Sequence, residues 1–247
     1  MSKGVLLVDV GNSQIKWLQV CSADTHSWGA QQTCSRSASA LVASFVSAGL
    51  LPQEILVSSV ADEDFNRVFA TTLVAEGWPA PLFAVSRSQQ LGVTNSYSDP
   101  SRMGIDRWLA MLAAWHKVAG PLIVVDAGTA LTIDIVDGSG THGGGYILPG
   151  IGLMESALMR DTHRVRFSDG ADRTLRPGQS TAQCVTSGVW LAGHSAVQAV
   201  VSRYTGYRVL ITGGDAQALL QLGIEGEWCP NLVLEGLFID AQSPLKG

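Results

Sequence analysis

The sequence predicts an α/β protein made of two similar halves, and three observations support this. Apolar runs of strand length alternate with stretches in which apolar residues recur at helical spacing. Residues 8–13 and 125–130 share one pattern about half a chain apart, an apolar run that ends in Asp and is followed by Gly and a polar residue. No low-complexity tract or long linker separates the halves. We therefore expect two packed domains, residues 1–119 and 120–247, with a cleft between them.

Each half is predicted to open with a β-hairpin. An apolar run short enough for a buried strand leads to Asp9 in the first half and to Asp126 in the second. The chain then turns at Gly11 or Gly128 into a second apolar run. The predicted hairpin strands are residues 5–8 and 14–20 in the first half, and residues 122–125 and 131–136 in the second.

The rest of each half continues the alternation of helices and strands. Apolar spacing predicts helices over residues 38–50, 62–76, 100–117, 151–159, 181–204, 216–221 and 232–241. Further strands are predicted over residues 55–60, 81–85, 146–148 and 208–212. Asp99 and Pro100 form the start signal of the third helix, and Gly120 with Pro121 ends it and marks the domain boundary.

Composition argues against several classes of protein. Of the 247 residues, 46% are hydrophobic and 15% are charged, which is typical of soluble globular domains. A formal net charge of −5 provides no positive field for a nucleic-acid backbone. No apolar run approaches the roughly 20 residues that span a bilayer, and Asp9 ends the first one too early for a signal peptide, so we expect a cytoplasmic protein. The four cysteines lie far apart, which argues against a disulfide framework or a zinc site.

The two Asp-x-Gly turns are candidate phosphate sites. Consecutive backbone N–H groups converge in such turns, and glycine lets a phosphate approach closely. The acidic residues Asp9 and Asp126 would then require cations beside the phosphates, and Lys16 could supply a positive charge. A single Asp-x-Gly turn is more often only a hairpin turn. Two copies in register favour a nucleotide and its metal ions held by two half-sites.

Other nucleotide motifs are not supported. The chain lacks the Gly-x-x-x-x-Gly-Lys-Ser/Thr sequence of P-loop proteins. Residues 138–143 match Gly-x-Gly-x-x-Gly, but that fingerprint must open a helix. Here more glycines and a strand pattern over residues 146–148 follow, so we reject a dinucleotide site.

A second constellation lies in residues 95–108. Asp106 and Arg107 stand side by side at the start of an apolar helix pattern. Asp can accept the proton of a substrate hydroxyl during phosphoryl transfer, and Arg can bind a carboxylate through two parallel hydrogen bonds. The alternative is a solvated salt bridge, because Arg102 precedes Asp106 by four residues.

These motifs resemble, in order, the signatures of type III pantothenate kinases. The matching segments are residues 9–16, 95–108, 126–129, 144–150, 181–182 and 213–214. The resemblance covers essentially the whole chain. It implies two duplicated ribonuclease-H-like domains of the acetate and sugar kinase, heat-shock chaperone and actin superfamily. The implied reaction is the ATP-dependent phosphorylation of pantothenate to 4'-phosphopantothenate, the first step of coenzyme A biosynthesis.

The resemblance also implies site residues. The ATP-binding residues would be Asp9, Val10, Gly11, Asn12, Ser13, Gln14, Ile15, Lys16 and Thr129. The pantothenate site would contain Tyr97, Gly104, Ile105, Asp106, Arg107 and Thr181. Asp106 would be the proton acceptor, and Asp126 would bind a monovalent cation, K⁺ or NH₄⁺, while Mg²⁺ accompanies ATP. Such enzymes are typically homodimers. Met103 and Ser180 depart from the more common Leu and Asn at positions that concern packing.

Several other groups favour structural roles. The histidines are His26, His116, His142, His163 and His194, and none has triad spacing. Trp17, Trp108, Trp115 and Trp190 fall in apolar patterns that indicate core or interface packing. The basic run at residues 160–176 is interpreted as a solvated loop, with a lid near anionic ligands as the alternative.

Two other functions stay open at this point. The first is a nucleotide-binding regulatory protein on the same fold, which would not need residues 95–108. The second, within the enzyme class, is a sugar or acetate kinase.

Overall fold

The computed structural model describes residues 4–21, 31–35, 37–161 and 172–243. Its contacts divide the chain into two compact units, Met1–Lys117 with Asn231–Gly247, and Val118–Pro230. The boundary near residue 118 lies close to the predicted one. The structure differs from the predicted division at the C-terminal end of the chain, which joins the first unit.

The first unit contains a five-stranded sheet with the order β3-β2-β1-β4-β5. Its strands are β1 (Gly4–Val10), β2 (Gln14–Cys21), β3 (Gln32–Ser35), β4 (Glu54–Ser59) and β5 (Leu82–Phe83). The strands β1, β2 and β3 pair antiparallel, whereas β4 runs parallel to β1 and β5 parallel to β4. The predicted first hairpin is confirmed, and β3 was not predicted.

Helices cover the apolar strands of this sheet. They include α1 (Ala38–Ser47) and α2 (Glu63–Ala75), which begin at the side-chain caps Ser37 and Asp62. The core contains Leu6, Val8 and Phe45, all of them fully buried. Because both faces of β1 must be covered, its central residues are apolar without alternation.

The segment that bears Tyr97 and Asp106 also belongs to the first unit. It consists of the two-stranded hairpin β6 (Gln89–Gln90) and β7 (Val93–Thr94), a 3-10 turn over Pro100–Arg102, and α3 (Ile105–Val118). The continuous helix predicted from residue 100 is wrong at its start. Asp99 caps the 3-10 turn by accepting a hydrogen bond from Ser101 N at 3.1 Å, and Met103 is extended with φ −75° and ψ 131°.

The last helix, α7 (Leu232–Gln242), explains why the C-terminal end joins the first unit. It contacts β1 and β4 and buries Leu234 and Leu237. A Cβ on Gly236 would collide with the backbone of Leu109 in α3, so only glycine permits this approach. Periodicity predicted the helix but could not reveal which sheet it covers.

The second unit repeats the first, with a sheet order of β10-β9-β8-β11-β12. Its strands are β8 (Leu122–Ala127), β9 (Ala130–Val136), β10 (His142–Pro149), β11 (Arg208–Thr212) and β12 (Glu227–Trp228). Its helices are α4 (Ile151–Asp161), α5 (Thr181–Arg203) and α6 (Ala216–Gln221). Three antiparallel strands again precede two parallel ones, which is the ribonuclease-H-like arrangement that the sequence resemblance implied.

The helix α5 is long and apolar enough to meet a simple criterion for a membrane span. Core helices of soluble proteins meet the same criterion, so this is weak evidence. The residues that α5 buries are Thr186, Ser187, Val189, Trp190, Gly193, Val197 and Val200. We therefore interpret α5 as a core helix of the second unit.

The residues expected to have structural roles lie mainly in the cores. Trp17, Trp108 and Trp190 are buried, and Trp17 packs edge-on against Phe45 with ring centroids 5.2 Å apart. His142 Nε2 forms a buried hydrogen bond with Asp134 Oδ1 at 3.0 Å. The expectations for His26, His163, Arg164, Arg166 and Asp169 lie outside the described residues.

Candidate active site

The first Asp-x-Gly turn joins β1 to β2. Gly11 N donates to Gln14 O at 3.1 Å, which closes the turn and leaves Asn12 and Ser13 exposed. Asp9, 9% exposed, accepts a hydrogen bond from Ser58 Oγ at 2.9 Å. The β1–β2 register pairs Asp9 with Lys16, so carboxylate and ammonium groups lie on neighbouring strands. Val10 and Ile15 are buried and fix the strand ends.

The second turn joins β8 to β9 in the same way. Gly128 N donates to Ala130 O at 3.0 Å, and Thr129 is exposed. Asp126 pairs in register with Thr132 of β9 and with Thr212 of β11, and both threonines are buried. The equivalent neighbours of Asp9 are Lys16 and Ser58. The two turns therefore differ in one neighbour of the aspartate, which is Lys16 in the first turn and Thr132 in the second.

Two glycines allow the second turn to be packed closely. Gly150 N donates to Thr129 O at 2.9 Å, and a Cβ on Gly150 would lie 2.5 Å from that same oxygen. Gly213 has φ +94°, and a Cβ there would lie 2.5 Å from Asp126 Oδ1. Asp126 therefore lies next to the backbone of Gly213, with no side chain between them. Carboxylate, hydroxyl and carbonyl oxygens, which are present in this part of the second unit, are ligands of hard cations.

The third group is centred on Arg107, a cation that is only 7% exposed. Its Nη1 donates to the Tyr97 hydroxyl at 2.9 Å, and its Cζ lies 5.8 Å from the centre of the Tyr97 ring. A buried guanidinium needs such partners because its desolvation is costly. The structure thus brings together two of the predicted pantothenate residues that are ten positions apart in the chain.

Asp106 lies in the first turn of α3, half-buried. Its Oδ1 accepts a hydrogen bond from Arg107 N at 2.8 Å. A Cβ on Gly104 would lie 2.6 Å from Asp106 Oδ1, so glycine makes room for the carboxylate. Ile105 is buried and anchors the start of the helix. Because α3 begins at Ile105, Arg102 lies outside it, and the i, i+4 helical geometry behind the salt-bridge alternative is absent.

Thr181, in the second unit, is the first residue of α5 and is exposed. Ser180 caps the helix by accepting a hydrogen bond from Gln183 N at 3.3 Å. Thr181 lies at an apolar groove of about 1360 Å³ between α4 and α5. Residues that line the groove include Leu153, Ala157, Leu158, Val185 and Val189.

Sequence reasoning missed several residues around these groups. Ser58 is a fully buried polar residue in the strand pattern Ile-Leu-Val-Ser, and that interruption is a signal the sequence contains. Asp215 follows the glycine pair at the end of β11, and burial raises its pKa against the opposing charge of Arg173. Arg173 also lies over the ring of Trp190, with its Cζ 5.4 Å from the ring centre. This part of the basic run therefore has specific partners in the second unit.

The duplicated sheets define a fold class, the ribonuclease-H-like fold of the acetate and sugar kinase, heat-shock chaperone and actin superfamily. A solved structure with this fold, described as a 2-dehydro-3-deoxygalactonokinase from Sinorhizobium meliloti, matches with a TM-score of 0.62 and 15% identity. The match covers 98% of this chain and 100% of that one.

Sequence comparison shows the family. The family model for type III pantothenate kinase matches residues 5–203. The type III pantothenate kinase of Marinobacter nauticus is 36% identical over 236 residues, 94% of this chain and 96% of the relative. The type III pantothenate kinase of Cellvibrio japonicus is 37% identical over 243 residues, which cover 95% of this chain and 96% of the relative. The chain belongs to the type III pantothenate kinase family. Its activity is therefore the ATP-dependent phosphorylation of pantothenate in coenzyme A biosynthesis, and the regulatory alternative is not favoured.

Proposed function

We propose that Asp106 is the general base of the kinase reaction. Its carboxylate takes the proton from the primary hydroxyl of pantothenate as that oxygen bonds to the γ-phosphorus of ATP. The bond from the γ-phosphorus to the bridging oxygen breaks, and ADP leaves. The observation that supports this role is the placement of Asp106 at the start of α3, in space that Gly104 leaves open and next to Arg107.

Arg107 binds the carboxylate of pantothenate in this proposal. The buried guanidinium has a defined orientation because Tyr97 accepts one of its hydrogen bonds. An oriented guanidinium is suited to a planar anion. Gly104 and Ile105 supply the backbone next to the substrate, and Thr181 contributes its exposed hydroxyl.

The triphosphate binds to the two glycine turns. In the first, Gly11, Asn12 and Ser13 present backbone N–H groups, and Lys16 adds a positive charge beside Asp9. The flanking residues Val10, Gln14 and Ile15 hold this turn between β1 and β2. In the second, Thr129 is the contact with ATP. A divalent cation such as Mg²⁺ accompanies the nucleotide and neutralises charge on its phosphates.

Asp126 binds a monovalent cation, K⁺ or NH₄⁺. The support comes from the difference between the half-sites, because Thr132 occupies the position that Lys16 has beside Asp9. A bound cation would supply the single positive charge that Lys16 supplies in the first unit. Thr132→Lys should lower the dependence of the rate on K⁺, whereas Thr132→Val should not. An unchanged K⁺ dependence in Thr132→Lys would contradict this assignment.

The protein is a cytoplasmic homodimer in this proposal, with the α4–α5 groove at the interface. Leu153, Leu158 and Leu191 of these helices are 45%, 40% and 49% exposed, and apolar surface of this kind favours association. Light scattering of wild type and Leu153→Glu tests this directly. A wild-type monomer at micromolar concentration would reject it.

ADP release in a coupled assay tests the reaction itself. We expect release with pantothenate, Mg²⁺ and K⁺ together, and none above background with glucose or acetate. Mass spectrometry should detect 4'-phosphopantothenate in equal amount to ADP. ADP release with acetate or a sugar in place of pantothenate would overturn the substrate assignment.

A further inference from the structure

We infer that Asn95 is a positioning residue for the pantothenate site, acting through Tyr97 on Arg107. This inference rests on the proposed roles of those two residues. Asn95 is only 8% exposed, and its side chain contacts backbone on both sides of the β6–β7 hairpin.

The contacts of Asn95 close the base of this hairpin. Its backbone N donates to Ser88 O at 2.8 Å, and its Nδ2 donates to Arg87 O at 3.2 Å. Its Oδ1 accepts from Tyr97 N at 3.0 Å. The amide side chain therefore ties the chain entering the hairpin to the chain leaving it. A side chain of this size with both a donor and an acceptor is needed for both bonds.

The tip of the hairpin is fixed independently. Leu91 and Gly92 have φ +50° and +87°, the left-handed pair of a tight hairpin turn. A Cβ on Gly92 would lie 2.8 Å from Trp115 Nε1, so the tip packs against α3. This contact with Trp115 does not involve Asn95, so we expect the tip of the hairpin to stay in place when the contacts of Asn95 at its base are lost.

Losing the hydrogen bonds of Asn95 would affect Arg107 through Tyr97. Asn95 sets the direction in which the chain leaves the hairpin, and two residues later the Tyr97 hydroxyl meets Arg107 Nη1 at 2.9 Å. If the Asn95 bonds are lost, the tyrosine gains rotational and backbone freedom, and the guanidinium loses a fixed partner. The substrate carboxylate would then have to reorder both groups on binding, which lowers affinity without changing the reacting atoms.

Steady-state kinetics of three variants tests this inference. Asn95→Ala should raise KM for pantothenate about tenfold, the effect of one to two hydrogen bonds, while KM for ATP and kcat stay within about threefold. Asn95→Asp keeps the acceptor for Tyr97 N–H but not the donor to Arg87, so its KM should fall between wild type and Asn95→Ala. Val42→Ala, a buried deletion in α1 of the same unit, controls for lost stability and should leave both KM values unchanged.

Combining the variants separates positioning from a general structural role. In a Tyr97→Phe background, Asn95→Ala should raise KM for pantothenate by no more than about twofold further, because the contact through which it acts is already lost. Full additivity of the two effects would overturn the inference. Equal increases in the KM values for pantothenate and ATP would also overturn it.

A measurement without substrate keeps this inference distinct from the proposed function. The Nη1–H signal of Arg107 in ¹H–¹⁵N spectra should be protected from exchange in wild type and Val42→Ala. It should be lost or strongly broadened in Asn95→Ala. If the wild type failed to phosphorylate pantothenate, the proposed function would fail while this signal still tested the role of Asn95. A protected Arg107 signal in Asn95→Ala would refute that role.

Discussion

Replacing Asp106 by Asn isolates the chemistry of the proposed base. The Asn side chain has nearly the same shape and retains an oxygen that can accept the 2.8 Å hydrogen bond from Arg107 N. The variant loses the favourable charge of an acidic residue in the first turn of α3, about 0.5 kcal/mol. For a chain of this size, that loss corresponds to a fall in Tm of roughly 1–2 °C. The fold should therefore survive almost unchanged.

The effect on the rate should be much larger. General-base catalysis contributes about 10²–10⁴-fold, which corresponds to about 2.7–5.4 kcal/mol at 1.36 kcal/mol per tenfold. We expect kcat to fall by at least ~10²-fold with KM for ATP unchanged, as measured by coupled ADP release. Scanning calorimetry should show that the Tm is nearly that of wild type. The matched control is Asp99→Asn, the same substitution at an exposed carboxylate that caps the neighbouring 3-10 turn, and it should retain wild-type kcat. A kcat for Asp106→Asn within about threefold of wild type would refute the assignment of the base.

Three further predictions concern the proposed cation site, two helix ends and a half-buried acid. Gly213→Ala, whose Cβ would lie 2.5 Å from Asp126 Oδ1, should raise the K⁺ concentration for half-maximal activity about tenfold, and an unchanged K⁺ titration would contradict the proposed cation site. Ala119→Gly should raise the free energy of unfolding in urea by about 1 kcal/mol, because Ala119 has φ +46°. Gly49→Ala should lower it by about as much, because Gly49 has φ +65°. A change of the same sign in both variants would refute this reasoning. Burial raises the pKa of Asp240 above 3.8, so the folded state holds this proton more tightly than the unfolded state, and the resulting stability is lost as pH rises through the folded pKa. The unfolding free energy of Asp240→Asn relative to wild type should therefore increase between pH ~4 and ~7, and a difference independent of pH would contradict it.

Much of the fold could be predicted because it depends on local patterns. The hairpins at Asp9 and Asp126 are confirmed, since an uninterrupted apolar run and a glycine turn specify a buried strand pair. The strand predicted over residues 146–148 is confirmed as part of β10 (His142–Pro149), and the glycines before it oppose a helix there. The interruption before Ile105 was missed because the start signal at Asp99 fits a single 3-10 turn as well as a helix.

The short strands β3 and β12 and the hairpin β6–β7 could not be predicted. Two to four residues contain no measurable periodicity, and these strands exist because a neighbouring strand or helix offers them hydrogen bonds and packing. The same reason hides the role of Asn95, whose partners are backbone atoms of a hairpin that the sequence does not reveal.

The sequence by itself determined the duplicated α/β class and the two glycine turns, and it supplied the residues that we propose for the site, because these depend on residue type and on spacing within a few positions. The tertiary structure decided which of those groups meet. The Tyr97 hydroxyl lies against a buried Arg107, Ser58 bonds to Asp9, and α7 returns to the first sheet. Such pairings depend on burial and on how closely the backbones of distant segments approach each other. A glycine without a Cβ, or one hydrogen bond to a buried group, decides which segments can pack together.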